Sequence, residues 1–460
     1  MKIAVVGAGW AGMAAAVAAT QAGHHVTVFE AARSLGGRAR GLQGTLPDGT
    51  TTMLDNGQHI LIGAYTDTLR LMRLVGVDPD QALLRLPLAL RFPDGTGLAL
   101  PDWPAPWDAL AGIVRARGWA WHDKFALMRT ASAWQRQGFV CAPHTTVAEL
   151  CAPLTQKLRD EFIDPLCVSA LNTPAARASG QVFLRVLKDA MFGALGSPPG
   201  GSNLLLPRTD LGSLFPEAAA RWLVRHGGTV HVGCRVQRLQ ALAEPPPNET
   251  PAAHEASPNR WQIDASALDG PQAYDRVILA VSASEAVKVL ASGSLFAIEN
   301  RATEAQDWIA ATDALRFEAI TTVYAWQRGA RLAHPMLALR SSASAPAQFA
   351  FDRGQLGGPP GLLAFVVSAS TGERDALQAA VLAQAAAQLG LQALQPVQTV
   401  VEKRATFACT PALHRPPAHI APGLVACGDY CAGPYPATLE GAVRSGWAAG
   451  SQQDDRATAR

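Results

Sequence analysis

The sequence predicts a protein of the α/β class, built from a parallel-sheet domain with a second domain inserted into it. Three observations predict this architecture. The chain opens on an apolar run that suits a buried parallel strand, and a glycine-rich turn and an Ala-rich segment follow. Near the other end, a short apolar run ends on a Gly-Asp pair. The length of 460 residues also allows two or three domains.

The composition indicates a folded enzyme and excludes several other classes. Apolar residues make up 48% and charged residues 17%, so enough apolar surface exists to offset the entropy of ordering the chain. The balance of 39 basic and 37 acidic residues argues against a nucleic-acid-binding protein held by bulk charge. The seven cysteines show no zinc-ligand spacing, and we find no long apolar run without charges or turn formers. We therefore predict neither a metal site nor a spanning helix.

The first thirty residues form an ordered nucleotide-binding pattern. The strand Lys2–Val6 precedes three glycines at G-x-G-x-x-G spacing, namely Gly7, Gly9 and Gly12. A helix and a second strand, His25–Phe29, follow, and Glu30 ends that strand. In this pattern the glycines allow a tight turn, a close approach to a pyrophosphate and close helix packing, while the acid accepts hydrogen bonds from ribose.

A second glycine turn narrows the choice of cofactor. Gly36, Gly37 and Arg38 follow within eight residues of the acid Glu30, and this second turn offers another phosphate approach and a fixed cation. This order resembles the FAD-binding fingerprint of the amine oxidase and phytoene desaturase superfamily. The resemblance implies an FAD-binding Rossmann-like domain of the glutathione reductase type, with Arg38 near the phosphates. A loop arginine that faces solvent is the alternative.

The segment Asp55–His59 resembles the stretch that passes close to the flavin ring in this superfamily. Its form, Asp-Asn-Gly-Gln-His followed by Tyr65, is similar to the squalene-associated FAD-dependent desaturases, also called hydroxysqualene dehydroxylases. The stretches Pro165–Cys167 and Leu171–Pro174 are also similar to that family.

The C-terminal motif resembles the closing FAD motif of the same superfamily. A short strand, Leu424–Cys427, ends on Gly428 and Asp429, and a helix is predicted to start near Thr438. Its N-terminus would face the flavin, and Gly441 and Gly446 would permit contact between this helix and the cofactor. No residue of the motif fits covalent attachment, and Cys431 is predicted to be a free thiol, so the resemblance implies non-covalent FAD.

Val236 would place its backbone against the adenine. The resemblance assigns the following residues to the FAD site: Gly7, Gly9, Trp10, Ala11, Gly12, Glu30, Ala31, Gly36, Gly37, Arg38, Gly57, Gln58, His59, Val236, Gly428, Asp429, Thr438, Leu439 and Ala442.

Because both ends would build one domain, that domain must be discontinuous. We predict an FAD-binding domain from 1–79, 205–290 and 400–450, a substrate domain from 80–204 and 291–399, and a flexible tail at 451–460. Residues 80–205 are predicted as helices and loops, and 244–260 as an exposed loop. The remaining predicted elements are a returning meander from Gly228–Val232, Val236–Leu239, Trp261–Asp264 and Tyr274–Val281, the strands Thr321–Trp326 and Leu362–Val367, and the helix Asp375–Leu389.

Residues 98–140 hold five tryptophans among basic residues. This pattern suits a membrane interface, with rings at headgroup depth, and it equally suits helical packing with extended arginines. Since the chain shows no secretion signal, we expect a cytoplasmic protein, with contact at the inner membrane if the first interpretation holds.

The family reaction implied by the resemblance is reductive removal of the hydroxyl of hydroxysqualene, a C30 isoprenoid alcohol, to give squalene. Such a reaction needs an apolar tunnel and a proton donor at the leaving oxygen. His59 is the first candidate donor, with a structural histidine as an equal alternative, and Tyr430 and Tyr435 are the others. The sequence leaves the electron donor open.

Three alternatives remain open. The first is a carotenoid desaturase of the same fold, which would oxidise its polyene substrate and reduce FAD, the reverse of the electron flow described above. An amine or porphyrinogen oxidase is the second. Amine oxidases of this fold commonly use a lysine near the flavin, and no lysine of this sequence lies in a context that suits that role. The third is a non-enzymatic isoprenoid carrier similar to the GDP-dissociation inhibitors.

Overall fold

The computed structural model describes residues 1–189, 200–242, 261–266, 268–292 and 299–451. The predicted loop at 244–260, and all of the predicted tail except Ser451, lie outside the described residues. Within the described part of the chain, no helix is long and apolar enough to cross a membrane.

The strands are β1 Lys2–Val6, β2 His25–Glu30, β3 Gly41–Thr45, β4 Thr51–Asp55, β5 Leu61–Ile62, β6 Leu83–Leu86, β7 Ala89–Arg91, β8 Gly97–Ala99, β9 Leu204–Pro207, β10 Thr229–Val232, β11 Val236–Ala241, β12 Trp261–Ala265, β13 Gln272–Tyr274, β14 Arg276–Leu279, β15 Phe317–Trp326, β16 Met336–Ala338, β17 Phe349–Asp352, β18 Leu362–Ser368, β19 Gln395–Phe407, β20 His419–Ala421 and β21 Leu424–Ala426. The helices are α1 Trp10–Gln21, α2 Thr66–Leu74, α3 Pro79–Ala82, α4 Trp107–Arg115, α5 Trp121–Arg136, α6 Val147–Leu150, α7 Gln156–Leu158, α8 Asp164–Leu171, α9 Gly180–Leu187, α10 Leu211–Leu214, α11 Pro216–Arg225, α12 Ala283–Ala291, α13 Glu299–Asp313, α14 Arg374–Leu389 and α15 Leu439–Ser451.

The central sheet confirms the predicted α/β class and its Rossmann-like domain. Its strand order is β10-β2-β1-β14-β21-β20, and the strands from β10 to β21 run parallel. Both faces of β1 are covered, because Ile3 and Val5 are fully buried on one side and Ala4 on the other. This two-sided burial is why the strand has a continuous apolar sequence. The sheet brings β1 and β21, from opposite ends of the chain, next to β14.

The first glycine turn allows α1 to pack directly on the strand that precedes it. Gly7 has a φ of +106°, and a Cβ there would lie 2.6 Å from the Ala280 carbonyl oxygen. A Cβ on Gly12 would lie 1.9 Å from the Gly7 carbonyl oxygen, so only glycine fits at either position. Gly12 therefore has the helix-packing role expected from the sequence.

The C-terminal helix α15 packs on α1. A Cβ on Gly446 would lie 2.0 Å from the Ala11 carbonyl oxygen, and one on Gly450 would lie 2.2 Å from that of Ala15. The expectation that Gly446 allows contact with the cofactor is therefore wrong, because this glycine accommodates the backbone of α1.

The returning meander differs from the prediction in its membership. Only β11, β12 and β13 form an antiparallel meander, whereas β10 and β14 join the central sheet. The predicted strand Tyr274–Val281 is divided at Asp275, whose N–H donates to the Lys2 carbonyl at 2.9 Å. At this residue the chain passes from the meander into the central sheet.

A second, antiparallel sheet has the order β16-β17-β18-β15-β19. It contains the predicted strands as β15 and β18, and α14 matches the predicted helix and ends at Gly390 with a φ of +71°. Every residue of β18 is buried, because one face of the strand packs on α14 and the other belongs to the main core.

Residues 80–205 contain more than the expected helices and loops. Strands β6 and β9 pair with each other, β9 also pairs with β5, and β7 and β8 form a hairpin. The hairpin turn contains Pro93, Asp94 and Gly95, and the Asp94 side chain accepts from the Thr96 N–H at 3.0 Å. That Pro-Asp-Gly triplet between apolar runs is a turn signal that the sequence analysis missed.

Candidate cofactor and substrate cavity

A cavity of about 600 Å³ lies between the central sheet and the second sheet. This size is typical of a site for a small organic ligand. Of the residues assigned to the FAD site, Gly12 does not line the cavity, and all the others do, together with Tyr430 and Tyr435. The motifs from the two ends of the chain therefore face one shared space.

Glu30 joins the first glycine turn to the end of β2, and a backbone bond joins the two glycine turns. One carboxylate oxygen accepts from the Ala8 N–H at 2.8 Å and the other from the Ala32 N–H at 2.8 Å. The Gly36 N–H also donates to the Ala8 carbonyl at 2.9 Å, which joins the second turn to the first. Each carboxylate oxygen has further acceptor capacity, so Glu30 can still accept from ribose hydroxyls at the cavity wall.

Arg38 forms an ion pair with Asp429 through Nη2, and its Nη1 donates to the Ala405 carbonyl at 2.6 Å. The Asp429 carboxylate raises the pKa of Arg38 above its ordinary value. This pair connects the second glycine turn to the C-terminal motif beside the cavity. Arg38 is therefore a fixed cation of the site and not a loop arginine in solvent.

Two helices present their N-termini to the cavity. Trp10 and Ala11 line it at the start of α1, where Gly9 provides no side-chain cap. Leu439 lines it at the start of α15. The partial positive charge and free N–H groups of a helix N-terminus favour anionic groups, which suits a pyrophosphate at α1.

Gly441 allows the loop before α15 to pack closely on the first turn of that helix. A Cβ on Gly441 would lie 1.8 Å from the Tyr435 carbonyl oxygen, and its N–H donates to the Thr438 Oγ1 at 2.9 Å. The expected contact between Gly441 and the cofactor is therefore replaced by a contact with the preceding loop.

His59 lines the cavity with its Nδ1 at 2.6 Å from the Gly57 carbonyl oxygen. Since a carbonyl can only accept, Nδ1 carries the proton. Burial lowers the pKa of His59, and the Arg38 cation adds to that effect, although the Gly57 bond opposes it. The ring is therefore neutral near pH 7, and its Nε2 is an acceptor.

The candidate tyrosines lie in different surroundings. Tyr430 is buried, and its hydroxyl has no hydrogen-bond partner among the described residues. Burial raises the pKa of Tyr430 well above its ordinary value. The Tyr435 hydroxyl accepts from Arg185 Nη2 at 3.3 Å, and the guanidinium of Arg444 lies 4.6 Å from its ring centre. Both tyrosines line the cavity.

Tyr65 is a cavity residue absent from the sequence-based site assignment. Its pKa is raised by burial and by the Glu440 carboxylate. Its position six residues after His59, the last residue of the motif, was visible in the sequence, but the orientation of its side chain depends on where α2 starts.

A buried charged group supports the segment expected to face the flavin. Arg353 is buried, and its Nη1 donates to the Gln58 Oε1 at 3.1 Å. Asp55 is also buried, with Oδ1 accepting from the Leu211 N–H at 2.8 Å and no partner for Oδ2 among the described residues. Burial raises the pKa of Asp55 to about 7, although Arg353 and the Leu211 N–H oppose the shift.

The wall opposite the glycine turns is apolar. It consists of Leu88, Leu90, Leu166, Val186, Leu187, Leu204, Ile320, Met336, Phe349, Phe351 and Val366. Phe349 and Phe351 alternate along β17, so their period of two was a sequence signal for this wall that the analysis missed. No lysine is among the described residues that line the cavity.

Asn172, in the segment noted for its resemblance, fixes the junction between α8 and the second sheet. Its Nδ2 donates to the Thr406 Oγ1 at 3.0 Å, and its Oδ1 accepts from the Ala369 N–H at 2.6 Å. The residue has a φ of +46°, which asparagine tolerates better than most residues.

The chain matches the sequence model of a known protein family. Residues 10–451 match the model for flavin containing amine oxidoreductases. A hydroxysqualene dehydroxylase from Rhodopseudomonas palustris is 27% identical over 456 residues, which cover 96% of each chain. A second one, from Zymomonas mobilis, is 26% identical over 243 residues. That match covers 51% of this chain and 54% of the relative, so it spans about half the length of both.

The fold also resembles solved structures at low sequence identity. An oxidoreductase from Methanosarcina mazei has a TM-score of 0.67 and 17% identity, over 97% of this chain and 99% of the other. At this identity the likeness concerns the fold alone.

Proposed function

Because the chain belongs to the flavin containing amine oxidoreductases, we propose that this FAD-dependent oxidoreductase removes the hydroxyl of hydroxysqualene reductively and yields squalene. FAD fits the cavity, where α1 suits the pyrophosphate, Glu30 suits a ribose and α15 suits the ring. The observation that carries the proposal is the apolar wall that continues directly from this site. The resemblance to hydroxysqualene dehydroxylases along almost the whole chain supports it.

The reaction replaces a carbon–oxygen bond with a carbon–hydrogen bond, and the hydroxyl leaves as water. The hydride would come from FAD bound in its reduced form. The protein must supply one proton to the leaving oxygen and keep bulk water away from the reacting carbon. The wall of Leu88, Phe349 and Phe351 provides the apolar surface that an isoprenoid needs.

We assign the proton donation to Tyr435. Arg185 donates to the oxygen of its hydroxyl, which leaves the hydroxyl proton free for a substrate oxygen. After the transfer, the same Arg185 bond would stabilise the charge on the phenolate. His59 is less suited to this step, because its neutral ring holds its only N–H proton against Gly57.

The test is a single turnover in the absence of oxygen. Reduced holoenzyme mixed with hydroxysqualene should regain oxidised-flavin absorbance as squalene forms in equal amount. Unchanged alcohol with fully reduced flavin would overturn the reaction and leave the flavin assignment intact. Oxidised enzyme offered a carotene is the matched control, since a carotenoid desaturase would instead bleach its flavin with that substrate.

A further inference from the structure

The outer surface of α4 is apolar where a surface helix is normally polar. Trp107, Leu110 and Val114 follow one another at spacings of three and four and share one face of the helix. All three are exposed, and Trp107 retains 62% of its surface. The buried face of α4 carries Ala109, Gly112 and Ile113 together with Asp108, so large apolar side chains are found on both sides of the helix.

The first turn of α5 adjoins this surface, because Lys124 Nζ donates to the Val114 carbonyl at 2.8 Å. Trp121 and Phe125 are 60% and 61% exposed, and their ring centres lie 6.0 Å apart. Trp103, just before α4, is also exposed. The docking face is therefore defined by Trp103, Trp107, Leu110, Val114, Trp121 and Phe125. Large exposed apolar patches of this kind mark interaction sites in stable proteins.

Positive charge accompanies the docking face. The exposed Arg115 guanidinium lies 5.1 Å from the ring centre of Trp103. The Lys124 ammonium lies 5.1 Å from that of Trp121, but Lys124 is buried and donates to the Val114 carbonyl at 2.8 Å. The exposed charged residues of 98–140, apart from histidine, are Asp102, Arg115, Arg117, Arg129 and Arg136. Four of these five residues are cations and Asp102 is the one anion. The region has two further carboxylates, on Asp108 and Asp123, and both are buried, so they do not reduce the exposed positive charge.

The docking face lies on the outside of a helix that touches the cavity wall. The Asp108 Oδ2 of α4 accepts from the Ser202 hydroxyl at 3.2 Å, and Ser202 lines the cavity. A single hydrogen bond thus connects α4, which carries part of the docking face, to a residue that lines the proposed substrate site.

We propose that the docking face binds the surface of a bilayer with anionic headgroups. Tryptophan rings favour the depth of the headgroups, and arginine beside them suits lipid phosphates. This combination of exposed tryptophans with an excess of cations favours a lipid surface over a protein partner. The proposal does not depend on the reaction proposed above, because binding is measured without turnover.

The test is sedimentation of the FAD-loaded protein with vesicles of phosphatidylcholine alone or with about 30% phosphatidylglycerol. We expect binding to the anionic vesicles, a loss of binding at high salt, and quenching of tryptophan fluorescence by lipids brominated near the headgroup. Replacing Trp107 and Phe125 by serine should lower the partition coefficient about tenfold or more. The matched control replaces Val224 and Val232, which are exposed on other elements, by serine.

Retention of bound FAD shows that each variant is folded. Vesicle binding that is equal in the wild type, the W107S/F125S variant and the control would overturn the proposal, as would an absence of binding to either vesicle. A wild-type dimer in sedimentation velocity that the W107S/F125S variant alone dissociates would also overturn it, since a second copy of the chain would then cover the face.

Discussion

The Glu440 carboxylate on α15 accepts from both the N–H and the hydroxyl of Thr68, at 3.0 and 2.7 Å. Its other oxygen accepts from the Asp67 N–H at 3.1 Å, and Arg444 binds it at 2.7 Å. The fully buried Glu440 therefore caps α2, whose own N-cap residue, Tyr65, makes no side-chain capping bond. The C-terminal motif therefore holds the helix that follows the segment expected to face the flavin.

Replacing Glu440 by alanine should destabilise the holoprotein by about 1.5 to 3 kcal/mol, because buried N–H groups lose a charged acceptor. Glutamine keeps one acceptor oxygen and should cost less. Urea unfolding followed by flavin fluorescence measures the difference, with the exposed Glu304→Ala as control. Equal midpoints for E440A and the wild type would contradict this capping role.

The pair of Arg38 and Asp429 should control cofactor retention. Loss of either charge leaves the other without its partner, so R38A and D429N should each weaken FAD binding about 10- to 100-fold. The double variant should lose less than the product of the two effects, because both changes remove the same interaction. Equilibrium dialysis of FAD tests this, with the exposed Arg316→Ala as control. Fully additive losses would mean that the two residues act separately.

Asp55 should make stability fall as the pH rises. Its pKa of about 7 in the folded protein exceeds the ordinary value of 3.8, so the folded state binds the proton more tightly. The resulting stabilisation is complete below about pH 4 and is lost as the pH rises through 7. Asparagine does not titrate, so D55N should gain about 2 to 3 kcal/mol relative to the wild type between pH 5 and pH 8.

Urea midpoints at both pH values measure this gain, and the exposed Asp269→Asn should show none. A constant difference between D55N and the wild type at the two pH values would place the Asp55 titration outside this interval.

Tyr435 and His59 can be separated by kinetics if the proposed reaction holds. Removing a general acid typically slows the reaction about 100-fold or more, so Y435F should lower kcat by that factor and keep FAD. H59Q should lower it much less. A donor imidazolium would make activity rise below pH 6.5 in the wild type and not in H59Q, because the pKa of His59 is lowered by burial. We expect no such rise in stopped-flow traces of flavin reoxidation.

The local parts of the fold could be predicted, because their signals lie in consecutive residues. The G-x-G-x-x-G turn requires Gly7 and Gly12 for steric reasons that any sequence with this spacing shares. The end of α14 follows in the same way from Gly390, which takes a left-handed conformation.

Contacts between residues far apart in the sequence could not be predicted in the same way. The sequence predicts one strand over Tyr274–Val281, and only the bond from Asp275 to Lys2 shows where β13 ends and β14 begins. The contact of Arg353 with Gln58 joins residues 295 positions apart, and no local pattern marks it. The proton positions on His59 likewise depend on Gly57, whose carbonyl orientation is a property of the folded segment.

The ion pair of Arg38 and Asp429 spans 391 positions, which has a consequence for biosynthesis. On the ribosome, β1 and the first glycine turn emerge long before β14 and β21 are translated. The nascent β1 therefore lacks its β14 neighbour during most of translation, while β2 is already available for pairing. Coenzyme capture is accordingly a late event, after the last parallel strand has left the exit tunnel.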